Sequence, residues 1–315
     1  MTVLIVSTPW DWSAEQVANQ LRDRGVRYAW LDVGAFPLDL ALAAELDDGA
    51  WSGGLTGARP VELREVTSVF YRRPSDFTLP AGMSGPERRF ARAQARVGLG
   101  GILSSLPARW INHPAVLADA EYKPRQLVTA SRVGMAVPPT LVTNQAEAAR
   151  KFAARYGDLI VKPLAEPIVE EAGSHTAVWT RKVIAADLDD LAGVETTAHL
   201  FQQWVPKRFE VRLTVVGDRM FPVAIHAGSE QARVDWRSDY DALSYELVEC
   251  PPDIAGQVAD YCRAFGLTYA AFDFVVTTGG RWVFLECNGA GQWGWLAEEL
   301  DLPIAAALAD ELTKE

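Results

Sequence analysis

A mixed α/β fold is predicted, and three features of the 315-residue sequence carry the prediction. The chain opens on an apolar run at 2–7, a helix-forming stretch and a second apolar run at 26–32, a strand–helix–strand unit of the kind that builds a parallel sheet. Strand-like and helix-like stretches then alternate along the whole length. Near the C-terminus, runs at 269–277 and 282–287 flank Gly279-Gly280, which is a hairpin signal.

Each element follows from local chemistry. Ser13-Ala14-Glu15-Gln16 reads as a capping box opening a helix that stops at Gly25. Strands are expected near 40–46, 61–63 and 66–72, with turns at Gly53-Gly54 and Gly57, then an Arg-rich helix over 86–106. The turn-rich segment from Pro107 to Pro114 marks a domain boundary. Pro124 suits the first turn of a helix reaching Gly134, with Lys123 just outside it in extended geometry. A strand over 137–142 and a helix over 147–156 precede a short apolar strand, 159–162, that closes on Lys162. The stretch 164–190 is polar and Glu-rich with a single glycine, Gly173. Strands near 198–204, 208–216 and 219–226 lead to a loop holding Asp235-Trp236-Arg237, a helix over 252–265, the terminal hairpin and a mostly helical end, 293–313. This order divides the chain into an N-terminal α/β domain (1–112), a central lobe (113–200) and a C-terminal lobe (201–315).

Composition excludes several classes. At 49% hydrophobic and 23% charged residues the chain is an ordinary globular protein. A net charge of −11, from 30 basic and 41 acidic residues, argues against a nucleic-acid partner held on a broad basic surface. Small anions remain open to it, since a few local cations suffice. The three cysteines, Cys250, Cys262 and Cys287, lack paired zinc spacing and suit a reducing, cytoplasmic setting. No stretch is apolar for long enough to span a bilayer, so no membrane partner is expected. The first residues read as a strand, with no basic segment before them, rather than as a secretory signal.

The chemistry concentrates in the second half. In Ala271-Phe272-Asp273-Phe274 strand alternation points Asp273 away from the phenylalanines, and in Glu286-Cys287-Asn288 the two polar residues share a face. Paired across the hairpin, Asp273, Glu286 and Asn288 offer three hard oxygen ligands, a set for magnesium rather than zinc. The plain alternative is ion pairing of the two acids with nearby arginines. Magnesium keeps open positions for phosphate. Each like-charge contact with a triphosphate opposes binding by ~4 kcal/mol at ~4 Å and an effective dielectric of about 20, so cations from several elements should gather. Lys123, Lys162 and Arg212 are the candidates. Glu210, Arg212 and Thr214 share one strand face, and Glu210 either orients a cation or is a surface ion pair. Gln203-Trp204-Val205, at a strand end, can stack and hydrogen-bond a base or form a plain core strand. His113, His175, His199 and His226 are scattered and read as structural. A phosphate-binding GxxxxGK[ST] loop, a GxGxxG fingerprint, kinase motifs and a Ser-His-Asp spacing are all absent from the sequence.

Taken in order, Lys123, Lys162, Gln203-Trp204-Val205, Glu210-x-Arg212, Asp273 and Glu286-x-Asn288 resemble the ATP-grasp fold over residues 112–300. Tyr71-Arg72-Arg73-Pro74, Asn112-His113-Pro114, Val137-Pro138-Pro139-Thr140, Asp235-Trp236-Arg237 and the run from Glu286 to Trp293 extend the likeness to nearly the whole chain. They are similar to the ATP-grasp maturases of ribosomal peptides, the graspetide or microviridin-type ligases. The resemblance implies an ATP-grasp fold with an N-terminal pre-ATP-grasp domain, and ATP and Mg2+ as cofactors. The partner it implies is a ribosomal precursor peptide with leader and core; a homodimer is compatible with it. It also implies an acyl-phosphate route to side-chain esters or amides. Lys123 and Lys162 would hold phosphates, Arg212 the γ-phosphate, Asp273, Glu286 and Asn288 the metal, and Arg237 the peptide carboxylate or the transition state. Two alternatives stay open: an ATP-grasp ligase of small amino acids or of glutamate onto a protein tail, and a non-catalytic ATP sensor. The loop after Lys162, Gly-rich in many ATP-grasp enzymes, is Glu-rich here, which argues against a phosphate lid; it reads first as a solvated charge run and second as a face meeting the peptide, with a leader groove expected beside 164–200.

Overall fold

The computed structural model describes residues 1–165, 168–171 and 174–314. Strand β1 (Thr2–Ser7) is buried along its whole length, as a parallel strand covered on both faces must be. Helix α1 (Trp12–Asp23) lays Ala14, Val17, Ala18 and Leu21 on the core, the i, i+3, i+4, i+7 stripe of a one-faced helix. Its cap is Asp11, not the expected Ser13: the Asp11 carboxylate accepts from the Ala14 N–H at 3.2 Å, from Ser7 Oγ at 2.9 Å and from Arg72 Nε at 2.6 Å. Held by three donors, that carboxylate fixes the start, and Ser13 falls inside the first turn.

After β2 (Tyr28–Leu31) come β3 (Ala41–Asp47), β4 (Ala50–Thr56), β5 (Val61–Glu62) and β6 (Val66–Arg73). Gly53 and Gly54 lie inside β4 rather than in a turn. A Cβ on Gly53 would stand 2.3 Å from the Ala43 carbonyl and one on Gly54 2.4 Å from that of Val61, so the glycines permit close strand contact. The turn is Asp48-Gly49, with φ of 48° and 77°, the left-handed pair of a type I′ hairpin. Helix α2 (Gly85–Ser104) starts on a Ser84/Glu87 capping box. The expected boundary segment contains a strand, β7 (Arg109–Ile111), which completes the parallel order β2-β1-β6-β7.

Helices α3 (Pro114–Ala120) and α4 (Lys123–Arg132) each carry proline in the first turn. Lys123 is the first helical residue of α4, and the extended residue outside is Tyr122. The central region continues as β8 (Thr140–Thr143), α5 (Ala146–Tyr156), β9 (Leu159–Lys162), the antiparallel pair β10 (Ile168–Glu171) and β11 (Ser174–Ala177), β12 (Arg181–Lys182), α6 (Ala185–Asp189) and β13 (His199–Gln203). Its sheet runs β12-β9-β13-β8, so β13 spans position 200. The expected peptide-facing role of the 164–174 loop and the reading of the His175 side chain lie outside the described residues.

The last lobe holds β14 (Phe209–Val216), β15 (Arg219–Ala227), β16 (Leu243–Leu247), α7 (Pro252–Phe265), β17 (Tyr269–Val276), β18 (Trp282–Asn288), α8 (Gly294–Leu300) and α9 (Ile304–Thr313). The sheet order is β16-β15-β14-β17-β18, antiparallel throughout; β16 lies where no strand is expected from the sequence. One face packs Leu213, Phe272 and Phe284 against Tyr261 of α7 and against Leu117 and Ala130 of α3 and α4. Near the far strand ends the other face meets α9, whose Ile304 and Leu308 also pack on Val3 and Val17. The N-terminal domain and the last lobe therefore share a core. The remaining part of that second face is polar and looks toward the central sheet. Among the described residues no helix is long and apolar enough to cross a membrane.

Candidate functional site

Register places the charged residues. Arg212 pairs with Asp273, and Asp273 with Glu286, across β14, β17 and β18. Directly paired residues share a face, so the three form one transverse row. Asn288 opposes Ala271 one row on, so the predicted oxygen set lies on one side of the hairpin. A bulge between Asp273 and Phe274 in this pairing leaves Leu285 as the extra residue of β18, and its carbonyl accepts from Lys162 Nζ at 3.4 Å.

Cations from other elements meet this row. Arg212 Nη1 donates to both oxygens of Asp273 at 2.8 Å. Lys123 Nζ lies 3.0 Å from Glu286 Oε2, and Arg237 Nη1 lies 3.6 Å from Oε1. Arg237 is braced by Asp235, whose two oxygens each accept from it at 2.9 Å while Oδ2 also accepts from the Thr180 N–H at 3.2 Å. The pairing of both acids with arginine or lysine, the plain alternative read from the sequence, is therefore present. Four cations (Lys123, Lys162, Arg212, Arg237) face three carboxylates (Asp235, Asp273, Glu286), a local positive excess of one in a chain of net charge −11. Such a focus attracts anions. Arg212 Nε is buried and has no partner among the described residues.

Burial and charge set the protonation states. Burial pushes Glu286 up, but Lys123, Lys162 and Arg237 together hold it well below the usual carboxylate range. Burial, with the Glu286 anion adding to it, raises Asp273 against the pull of Arg212. Burial lowers Lys162 against the opposing field of Glu286. Glu210 does not orient Arg212: its carboxylate is bound by Lys207, and burial pushes it up to about 7.

The wall facing this row is the central sheet. Gln202 pairs with Ile160, and Leu200 with Lys162, so these four share the face that lines the cleft with Asp273 and Glu286. Gln203 points the other way, toward α5, where its Nε2 donates to the Tyr156 carbonyl at 3.3 Å. The backbone N–H groups of Gln203 and Trp204 donate to the carbonyls of Pro139 and Asp158. Those two N–H groups, expected from the sequence to meet a base, are thus already engaged within the protein. The neighbouring Gln202 turns into the cleft instead. Thr140 Oγ1 donates to the Pro138 carbonyl and accepts from Gln202 Nε2 at 2.8 Å. That fixes the amide, leaving the buried Gln202 Oε1 without a partner among the described residues. The Trp204 ring is flanked by Lys182 Nζ at 4.7 Å and Lys207 Nζ at 5.1 Å, within cation–π range. Val205 completes that end of the cleft.

Sequence reasoning gave no role of their own to Gln202, which it read only within Phe201–Val205, to Gln126, which it read only within Lys123-Pro-x-Gln-Leu127, or to Lys207. For Gln202 a signal existed: Phe201 belongs to the α5 core, so period-2 alternation turns Gln202, not Gln203, to the cleft. Gln126 carries no such signal. From α4 it donates to the Cys287 carbonyl at 2.8 Å and accepts from the Cys287 N–H at 3.0 Å, capping the edge strand beside Glu286. Lys123 lies one turn earlier on α4 and reaches Glu286 from there.

The metal assignment fits the donor chemistry. Among the described residues no three His, Cys, Asp or Glu side chains form a ready cage. Two carboxylates and an amide on adjacent rows make the incomplete oxygen set that magnesium completes with water and phosphate.

Comparison with known proteins follows this geometry. Residues 2–117 match the family model described as the MvdD pre-ATP grasp domain, and residues 126–279 that of the prokaryotic glutathione synthetase ATP-grasp domain. No curated protein sequence matches the chain. Among solved structures, macrocyclase MdnC of Microcystis aeruginosa MRC, bound with precursor peptide MdnA, is 30% identical over 100% of both chains, with a TM-score of 0.89. A RiPP-associated ATP-grasp ligase of Chryseobacterium gregarium, in complex with ADP and a leader and core peptide, is 27% identical over 99% of this chain and 96% of that one, with a TM-score of 0.92. Macrocyclase MdnB of Microcystis aeruginosa MRC is 30% identical over 100% and 99%, with a TM-score of 0.83.

Proposed function

The chain belongs to the graspetide-type ATP-grasp maturases of ribosomal peptides, and on that premise we propose that it joins a side-chain carboxylate of a precursor peptide to a hydroxyl or amine of the same peptide at the expense of ATP. The observation that carries this reading is the convergence of Lys123, Lys162, Arg212 and Arg237 on the Asp273–Glu286 row.

ATP lies in the cleft between the central sheet and the last lobe. Gln202 Oε1 accepts from the adenine amino group, and Trp204 and Val205 hold the base. Glu210 and Lys207 form the adjoining wall. Lys123 and Lys162 bind phosphate oxygens, and Arg212 binds the γ-phosphate through its Nε–H. Asp273, Glu286 and Asn288 would hold magnesium, which when bound would offset the charge of the phosphates. Arg237, steadied by Asp235, receives the peptide carboxylate. A carboxylate oxygen attacks the γ-phosphorus and ADP leaves, giving an acyl phosphate. The hydroxyl or amine then attacks the carbonyl, loses its proton, and phosphate departs. Positioning and charge stabilisation suffice for this chemistry, so no Ser, Cys or His nucleophile is required.

The test is incubation of the chain with ATP, magnesium and the precursor peptide encoded beside it, read by mass spectrometry. Loss of one water per bond, with matching ADP release, is expected; lability to mild base separates ester from amide. An unmodified peptide under conditions where free amino acids are ligated would overturn the peptide reading.

A further inference from the structure

One contact of the N-terminal domain leads toward the charged row through a buried, charged side chain. Arg72, at the end of β6, is almost fully buried, and its Nε donates to Asp11 at 2.6 Å. Its Nη2 donates to the side-chain oxygen of Gln292 in the loop between β18 and α8. The backbone carbonyl of the same Gln292 accepts from Arg212 Nη2 at 3.0 Å.

The loop has little freedom to shift. The Gly289 carbonyl accepts from Asn112 Nδ2 at 2.8 Å, and the Gly291 carbonyl from Tyr269 Oη at 2.6 Å. A Cβ on Gly291 would stand 2.6 Å from the Ala271 Cβ and 3.0 Å from Arg212 Nη2, so glycine lets the loop press against the guanidinium. Trp293 is fully buried and faces Trp12 of α1 at 6.2 Å between ring centroids.

We infer that Arg72 and Gln292 are positioning residues: Arg72 fixes the Gln292 side chain, and the Gln292 carbonyl then holds Arg212 with its Nε–H facing the phosphoryl group. Donor counting supports this. Arg212 Nη1 is engaged by Asp273 and Nη2 by Gln292, while Nε alone has no partner among the described residues. Asp273 and the Gln292 carbonyl hold the planar guanidinium at its two Nη atoms. Positional errors at a phosphoryl-binding group carry large rate penalties, and here the second anchor depends on the N-terminal domain. The inference rests on the reading of Arg212 as the γ-phosphate ligand.

Removing Arg72 would strand buried Asp11, so the test uses Gln292. Gln292→Met keeps the length and removes the acceptor; Gln292→Glu keeps an acceptor oxygen for Arg72. With ATP, magnesium and the precursor peptide, Gln292→Met should lose about tenfold or more in kcat. Its KM for ATP and its unfolding midpoint should stay near wild type, and Gln292→Glu should keep most of the rate. Wild-type kcat in Gln292→Met, or equal losses in both variants, would overturn the inference. Crystal structures of both variants read the geometry without turnover. Arg212 displaced in Gln292→Met and restored in Gln292→Glu is expected; Arg212 unmoved in Gln292→Met overturns the positioning role even if the wild-type chain ligates nothing. A displaced Arg212 in a chain without ligase activity would instead count against the peptide-ligase reading alone.

Discussion

At the scale of single residues, the charged row carries stability as well as the proposed chemistry. Asp273 is the counter-ion of buried Arg212, and breaking a buried pair costs about 3–5 kcal/mol because the remaining charge is stranded. Asp273→Ala should therefore destabilise the protein by about that amount in denaturant melts. Asp273→Asn, which keeps a hydrogen-bond acceptor, should lose turnover with a smaller drop; full activity in the Asn variant would remove the metal role. Lys162→Ala should weaken ATP binding about 10- to 100-fold, the worth of one charge-assisted hydrogen bond, as read by calorimetry; an unchanged affinity would refute the phosphate contact. Glu210 gives a pH signature. Burial raises its folded pKa from the ordinary carboxylate range to about 7, so its contribution is full below the unfolded pKa and is lost as pH rises through the folded one. The loss should reach about 3 kcal/mol between roughly pH 4.5 and 8. Unfolding free energies at the two ends of that window should differ less in Glu210→Gln than in wild type.

At the scale of elements, the hairpin of β17 and β18 presents the acids, but α4 holds its edge. Gln126 uses its amide as a strand would, bonding both backbone groups of Cys287, and its Nε2 also donates to the Ala120 carbonyl at 2.6 Å. Gln126→Leu leaves buried backbone groups unpaired at about 1–3 kcal/mol each. The expected result is a lower unfolding midpoint together with slower turnover, since Glu286 and Lys123 lose their common reference. Wild-type turnover in a measurably destabilised variant would show that the edge contact serves stability only. The glycines of β4 teach a related point. Gly53-Gly54 reads as a turn from composition, yet the strand needs them because the backbones of β3 and β5 approach too closely for a Cβ. The signal for the true turn, Asp48-Gly49, lies four residues earlier.

At the scale of the molecule, the N-terminal domain is tied to the last lobe at Asn112. Its side-chain oxygen accepts from the N–H groups of Thr268 and Tyr269, and its amide donates to the carbonyls of Tyr269 and Gly289. One buried residue thus joins the end of β7 to β17 and to the loop that braces Arg212. Asn112→Ala leaves four groups without partners, a loss of about 4 kcal/mol at the typical ~1 kcal/mol each. It should appear as a fall in the unfolding free energy larger than that of Asp310→Asn, whose partners Arg24 and Arg219 are solvent-exposed. An Asn112→Ala variant as stable as wild type would show that the shared apolar core alone docks the domain.

What the sequence determined by itself was local. Apolar periodicity set the strands 2–7, 159–162 and 208–216 and the helix 252–265, because burial of a repeating face depends only on neighbours in the chain. The Gly279-Gly280 turn fixed the hairpin, and strand alternation put Asp273, Glu286 and Asn288 on one side of it. The same alternation would have chosen Gln202 over Gln203 once Phe201 was known to face α5. Tertiary structure alone decided the partners: Asp11 rather than Ser13 as the helix cap, Lys207 rather than Arg212 as the mate of Glu210, and the route from Arg72 through Gln292 to Arg212. Those choices join residues as far as 220 positions apart. A side chain's charge says that it needs a partner, and only the packing of the folded chain says which of many candidates lies within 3 Å or so of it.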